Sequence, residues 1–146
     1  MKKFMISLAM IITLMTSAFA SDEKVRNEIL KSFDNKFSGA QEVTWVRGKD
    51  YYKASFNYND SWLVAYYNKT SELMGVTRNI SSIQLPLYLQ NSLKNKYSNY
   101  WITQLFEYSN KEGFRYYVTL ENADKTITLE SLNGTDWELY QSHNKY

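Results

Sequence analysis

The 146-residue chain has no cysteine, one proline, one histidine and five glycines. Without cysteine there can be no disulfide framework, no thiolate metal site and no cysteine nucleophile. A histidine-rich metal site is excluded by count, and the scattered glycines form no phosphate-cradling loop. Neither sign of charge dominates, since 17 Lys and Arg stand against 15 Asp and Glu. Beyond the first twenty residues no apolar run approaches the length of a membrane span. Aromatic residues are what the chain has in quantity. Phe, Trp and Tyr make up 16% of it, within an apolar fraction of 44%, which is the composition of a chain that folds. Its length suits one compact domain or two small packed units.

The amino terminus reads as a secretory leader. Lys2 and Lys3 are followed by the apolar stretch Phe4 to Met15, too short to cross a bilayer. Ala18-Phe19-Ala20 then places small residues at the two positions a signal peptidase reads. Cleavage after Ala20 is expected, leaving a mature chain in the periplasm or outside the cell. No cysteine follows the apolar stretch, so a bacterial lipid anchor is not available. Removing Lys2 and Lys3 leaves fifteen basic residues against fifteen acidic ones, all of which lie beyond the leader. The mature chain is formally neutral and lacks the concentrated positive field that binding nucleic acid requires.

Two periodicities follow, and both occur twice. Val25, Ile29, Phe33 and Phe37 recur every four residues, one stripe of an amphipathic helix over 22–37 capped by Ser21 or Asp22. Sixty residues on, Leu85, Leu89, Leu93 and Tyr97 repeat the stripe, and Pro86 stands where a second helix would begin. The period then shortens to two. Tyr52, Ala54 and Phe56 alternate with Tyr51, Lys53 and Ser55, and at an offset of 64 Tyr116, Val118 and Leu120 alternate with Arg115, Tyr117 and Thr119. Leu63 and Ala65 match Ile127 and Leu129, and Thr70 to Leu73 match Gly134 to Trp137, at the same offset.

The expected fold is α+β, a tandem repeat of one helix packed on a four-stranded antiparallel sheet. The first unit spans 21–80, with strands near 42–47, 51–58, 62–68 and 72–78. The second spans 81–146, with strands near 102–108, 114–121, 125–131 and 136–141. Short hairpins make successive strands neighbours. A helix on one face of each sheet leaves the other face open.

The run Phe37-Ser38-Gly39-Ala40, then Val43-Thr44-Trp45, then Tyr52-Lys53-Ala54-Ser55-Phe56, resembles the PepSY-like periplasmic proteins, also described as β-lactamase-inhibitor-protein-like domains. Leu85-Pro86 at the second helix adds to it, and the resemblance covers nearly all of 22–142. It implies export, a tandem helix-plus-sheet fold and no enzymatic activity. The β-lactamase inhibitor itself has disulfides and this chain has none, so no inhibitory residue is carried over.

Catalytic groups are poorly placed in the sequence. His143 lies four residues from the end, in a polar tail, Gln141 to Tyr146, expected to fray. Of Asp50, Asp60, Glu107, Glu121 and Asp124, most fall in turns or at strand edges and none lies in an acid/base motif. Asn57-Tyr58-Asn59-Asp60 lacks the ligand spacing of a calcium loop. The Asn-x-Ser/Thr triplets at Asn68, Asn79 and Asn133 read as turns. No cofactor and no metal are implied. Binding has the better case. If Tyr52, Ala54, Phe56, Leu63 and Ala65 face the helix, then Tyr51, Lys53, Trp62, Val64 and Tyr66 face away, with Tyr117 on the same side in the second unit. Aromatic anchors of this kind hold protein interfaces. The expected function is an exported, non-enzymatic protein that inhibits, chaperones or senses a protein partner. A carbohydrate- or envelope-polymer-binding module is the second reading, and a hydrolase the third.

Overall fold

The computed structural model describes residues 25–146. The leader and the residues expected to cap the first helix lie outside that range. Two helices, α1 (Asn27–Lys36) and α2 (Leu87–Lys96), each precede four strands. After α1 come β1 (Gln41–Arg47), β2 (Tyr51–Tyr58), β3 (Ser61–Asn68) and β4 (Leu73–Asn79). After α2 come β5 (Trp101–Asn110), β6 (Gly113–Glu121), β7 (Lys125–Ser131) and β8 (Glu138–Asn144). The eight strands form one antiparallel sheet in sequence order. The join is β4 with β5, over Val76–Asn79 against Phe106–Ser109.

The two helices are built alike. Arg26 and Pro86 are their N-caps, and neither contributes a side-chain cap. Phe37 and Tyr97 close them, each donating its backbone N–H to the carbonyl of Phe33 or Leu93. A turn follows each helix, with the Ala40 amide bonded to the Phe37 carbonyl and the Tyr100 amide to that of Tyr97. The first helix starts later than its stripe suggested. Val25 precedes it, yet still packs on the core.

Each stripe meets the matching strand face. Ile29 and Phe33 are buried with Tyr52, Ala54, Phe56, Ala65 and Tyr67. Leu89 and Leu93 are buried with Leu105, Val118, Leu120, Ile127 and Leu129. The first cluster is aromatic: Phe33 meets Phe56 edge-on at 4.8 Å and Trp45 at 5.3 Å. The second is aliphatic, and Trp137 closes it by donating its indole N–H to the Leu89 carbonyl at 3.1 Å. Between the helices, on the same face, Arg78 pairs with Glu107 at 3.3 Å.

Bulges interrupt the register at similar places in the two halves. β1 carries one extra residue between Gln41 and Thr44, where Glu42 has φ +54°, and β5 one between Ile102 and Gln104. β4 and β8 are each bulged as well. A bulge bends its strand and increases its twist, so the sheet is not flat. Turn chemistry is local. Asn59 and Asp60 both have positive φ, as a two-residue type I′ hairpin needs. Asn68 and Asn133 each accept, on Oδ1, the amide of the Thr two residues on. These turns therefore match at an offset of 65, not the expected 64, because Leu132 adds a residue after β7.

The carboxy terminus departs from the expected frayed tail. β8 runs to Asn144, and His143 lies opposite Thr126. The Lys145 amide donates to the Asp124 carbonyl at 2.9 Å, its ammonium pairs with Glu121, and it lies over the Trp101 ring. Two of these ties reach the β6–β7 hairpin, and the third reaches the start of β5.

Candidate binding face

Alternation along β2 and β3 sends Tyr51, Lys53, Ser55, Trp62, Val64 and Tyr66 to the side away from the helices. Register carries this across the sheet. Lys53 is opposite Tyr66, and Tyr66 opposite Gly75. One step along, Ser55, Val64, Thr77, Tyr108 and Arg115 form a continuous cross-strand row. One step further, Asn57 faces Trp62, which the Leu63–Arg78 pairing sets level with Asn79. Asn79 is opposite Phe106, Phe106 opposite Tyr117, and Tyr117 opposite Glu130. All six residues expected to form the face thus share one side of one sheet.

Their exposure differs. Trp62 is 55% exposed, and Lys53 and Val64 are half-buried. Tyr51, Tyr66 and Tyr117 have little exposed area, because their rings lie against the sheet and against neighbouring rings. Tyr117 stacks on Phe106 at 5.2 Å and meets Tyr140 edge-on at 5.9 Å. Tyr51 lies 6.3 Å from Tyr66. Two glycines make room for rings. A Cβ at Gly48 would collide with Tyr51, and one at Gly75 with Tyr108. Phe106, Tyr108 and Tyr140 are members of the face that the sequence reading did not single out. The alternation of Phe106 and Tyr108 with Leu105 and Glu107 carried the signal for two of them. Tyr140 sits at the β8 bulge, which no simple period marks.

The polar groups of the face are bonded to one another. The Tyr117 hydroxyl donates to Glu130 at 2.8 Å. Burial, and then the Glu130 carboxylate, push the Tyr117 phenol well above the usual range, while Arg115 beside it opposes the shift. Burial raises Tyr66 too, against a hydrogen bond with Thr77, and Tyr51 and Tyr108 stand close enough to add to the rise. Arg115 in turn pairs with Glu112 at 2.9 Å. Thr119 and Thr128 approach to 3.4 Å. The middle of the face is therefore aromatic and hydroxylic, and charge is confined to Lys53 and the Arg115–Tyr117–Glu130 group.

The carboxylates weighed for catalysis are mostly held elsewhere. Asp50 pairs with Lys69 at 2.9 Å, Glu107 with Arg78, and Glu121 with Lys145. Asp60 forms the β2–β3 turn, and the Asp124 amide donates to Asn122 Oδ1. His143 lies 2.6 Å from Gln141. Among the described residues no group of three or more His, Asp or Glu side chains could hold a metal ion, and no helix is long and apolar enough to cross a membrane.

No protein-family model matches the chain, and no curated protein aligns with it. Solved structures do share its fold. A BLIP-like protein from Bacteroides fragilis superposes with a TM-score of 0.71 at 15% identity, over 84% of this chain and 88% of its own. A DUF2874 family protein from Bacteroides uniformis gives 0.72 at 14% identity, over 84% and 94%. A candidate periplasmic protein from Bacteroides eggerthii gives 0.72 at 12% identity, over 84% and 90%. The chain has the BLIP-like fold, an α+β arrangement of two helices on one open eight-stranded antiparallel sheet.

Proposed function

We propose that this chain is an exported, non-enzymatic binding protein that grips a protein partner on the sheet face opposite its helices. Trp62, Lys53 and Val64 supply the accessible contact, and Tyr51, Tyr66 and Tyr117 pack with Phe106, Tyr108 and Tyr140 as the platform that holds them. The observation that supports this most is the make-up of the face. No described element covers it, and its centre is aromatic and nearly free of charge. That is the composition of the buried core of a protein interface. Rings already packed on glycine and on each other lose little side-chain entropy when a partner arrives. Trp62, half exposed at one end of a row that runs to Tyr117, is the natural anchor.

A fold shared with a BLIP-like protein, named for an inhibitor of an enzyme, fits a protein partner better than a glycan. Export rests on the leader, with cleavage after Ala20, and agrees with the candidate periplasmic protein of the same fold. We also read the chain as two copies of one unit, 21–80 and 81–146. The pattern of buried and exposed positions over 31–40 recurs unchanged over 91–100, although only four of those ten residue pairs are identical, at Ser32/Ser92, Asn35/Asn95, Lys36/Lys96 and Ser38/Ser98.

The test pairs two measurements on Trp62→Ala and Tyr66→Ala. Capture from periplasmic extract, with the partner identified and its affinity measured, should weaken by at least about 2 kcal/mol for Trp62→Ala. Melting of Trp62→Ala should hardly change, since an exposed side chain leaves no cavity. A collapse of stability with affinity intact would make the face a structural surface and end the proposal.

A further inference from the structure

A cleft of about 410 Å³ lies on the helix side of the sheet, away from the aromatic face. Ser32 and Lys36 of α1 form one wall, and Ser109, Asn110 and Lys111 of the β5–β6 hairpin the other. Ser71 and Glu72 close one end, and Leu73 and Val76 form an apolar floor. Neither half of the chain makes this space alone, because the far wall belongs to the second set of strands.

Charge within the cleft is unbalanced in a specific way. Lys111 is held by Glu72 at 2.9 Å, and that ammonium keeps the Glu72 carboxyl below its usual range. Lys36 has no carboxylate partner among the described residues. Two ammonium groups and one carboxylate leave one net positive charge, on a flexible side chain at the rim. Around it are hydroxyls with spare capacity. The Ser71 hydroxyl makes no hydrogen bond among the described residues, and that of Ser109 reaches the Val76 carbonyl only at 3.5 Å. A volume of this size, with an apolar floor and a few converging polar groups, is that of a small-molecule site.

We propose that this cleft binds a small polyhydroxy carboxylate of the sugar-acid class. Lys36 takes the carboxylate, the serine hydroxyls and Asn110 take the ligand hydroxyls, and Leu73 and Val76 lie under its carbon skeleton. The chain carries its own control. Ser92 and Lys96 stand sixty residues after Ser32 and Lys36, at the same places in α2, but among the described residues no strand pairs with the outer edge of β8 to build a far wall.

The experiment is a titration of the mature chain with D-glucuronate, followed by amide chemical shifts and calorimetry. Saturable shifts at Ser71, Ser109 and Asn110 are expected. Lys36→Ala should weaken binding about ten-fold or more, the scale of one lost charged contact. Lys96→Ala should leave it unchanged, and both variants should melt like the parent because both lysines are exposed. Glucose, which lacks the carboxylate, and acetate, which lacks the hydroxyls, should each bind much more weakly. A uronate disaccharide separates two sources of the same chemistry. Weaker binding than the monosaccharide assigns a free sugar acid, and equal or tighter binding the end of a longer chain. The proposal is overturned if glucuronate does not saturate these amides, if Lys96→Ala costs as much as Lys36→Ala, or if acetate binds as well as glucuronate.

Discussion

Tyr108 lies across Gly75, its hydroxyl donating to the Met74 carbonyl at 2.9 Å, and no side chain could stand at position 75 without moving that ring. Gly75→Ala should therefore lift Tyr108 from the sheet. The expected cost is about 1–3 kcal/mol, the range for an over-packed site. A Gly75→Ala, Tyr108→Ala double variant checks the cause, because the second change removes the obstacle and the two costs should not add. Denaturant midpoints measured at constant slope decide it.

The helix stripes are the most secure part of the core. Phe33→Ala should cost about 3–5 kcal/mol and Leu93→Ala about 2–5, whereas Lys31→Ala, on the exposed side of α1, should stay within about 0.5. A midpoint untouched by either core change would contradict the packing of that helix.

Two tyrosine hydroxyls should respond in opposite ways to removal. Tyr117→Phe breaks a bond to a carboxylate and should cost about 1–3 kcal/mol. The Tyr67 hydroxyl is buried beside Ser32 without reaching hydrogen-bond geometry. Tyr67→Phe should therefore be neutral or stabilising by up to about 1 kcal/mol. Thermal melts of the two variants beside the parent give the comparison.

The raised phenols also set a pH dependence. Tyr66 and Tyr117 hold their protons more tightly folded than unfolded. Their contribution is fully present below the unfolded phenol range near pH 10 and is lost as pH rises above it. Stability should fall in that alkaline window, and tyrosinate absorbance should show a class of phenols that ionises only with unfolding. Tyr117→Phe should make the fall shallower. At the acid end Asp50 and Glu72, both lowered by lysine partners, act in the opposite sense, with support lost as pH falls through their folded values. Both are exposed, so that loss should be small.

Periodicity made most of the fold legible. Stripes at a spacing of four marked α1 and α2, and alternation told which side of β2 and β3 meets the helix. What it could not carry was the join. Nothing in Val76–Asn79 or Phe106–Ser109 says that they pair, since hydrogen bonding along a strand edge is not sequence-specific. The six face residues were placed on the correct side for the same reason of alternation, but the covering of Tyr51, Tyr66 and Tyr117 depends on neighbours brought in by other strands. The tail was misjudged because its ties, Lys145 to Glu121, Asp124 and Trp101, join positions more than twenty residues apart.

Strand order that follows chain order has a kinetic meaning. Every strand finds its partner across a short connection, except at β4 and β5, which must wait for the intervening α2 segment to fold back. Loop closure is cheap for each hairpin and dearest at that one seam. The seam is also short, four residues a side where β2 with β3 has eight. Assembly should therefore proceed as two fast local events followed by one slower docking, and under pulling force the chain should part first between Val76–Asn79 and Phe106–Ser109.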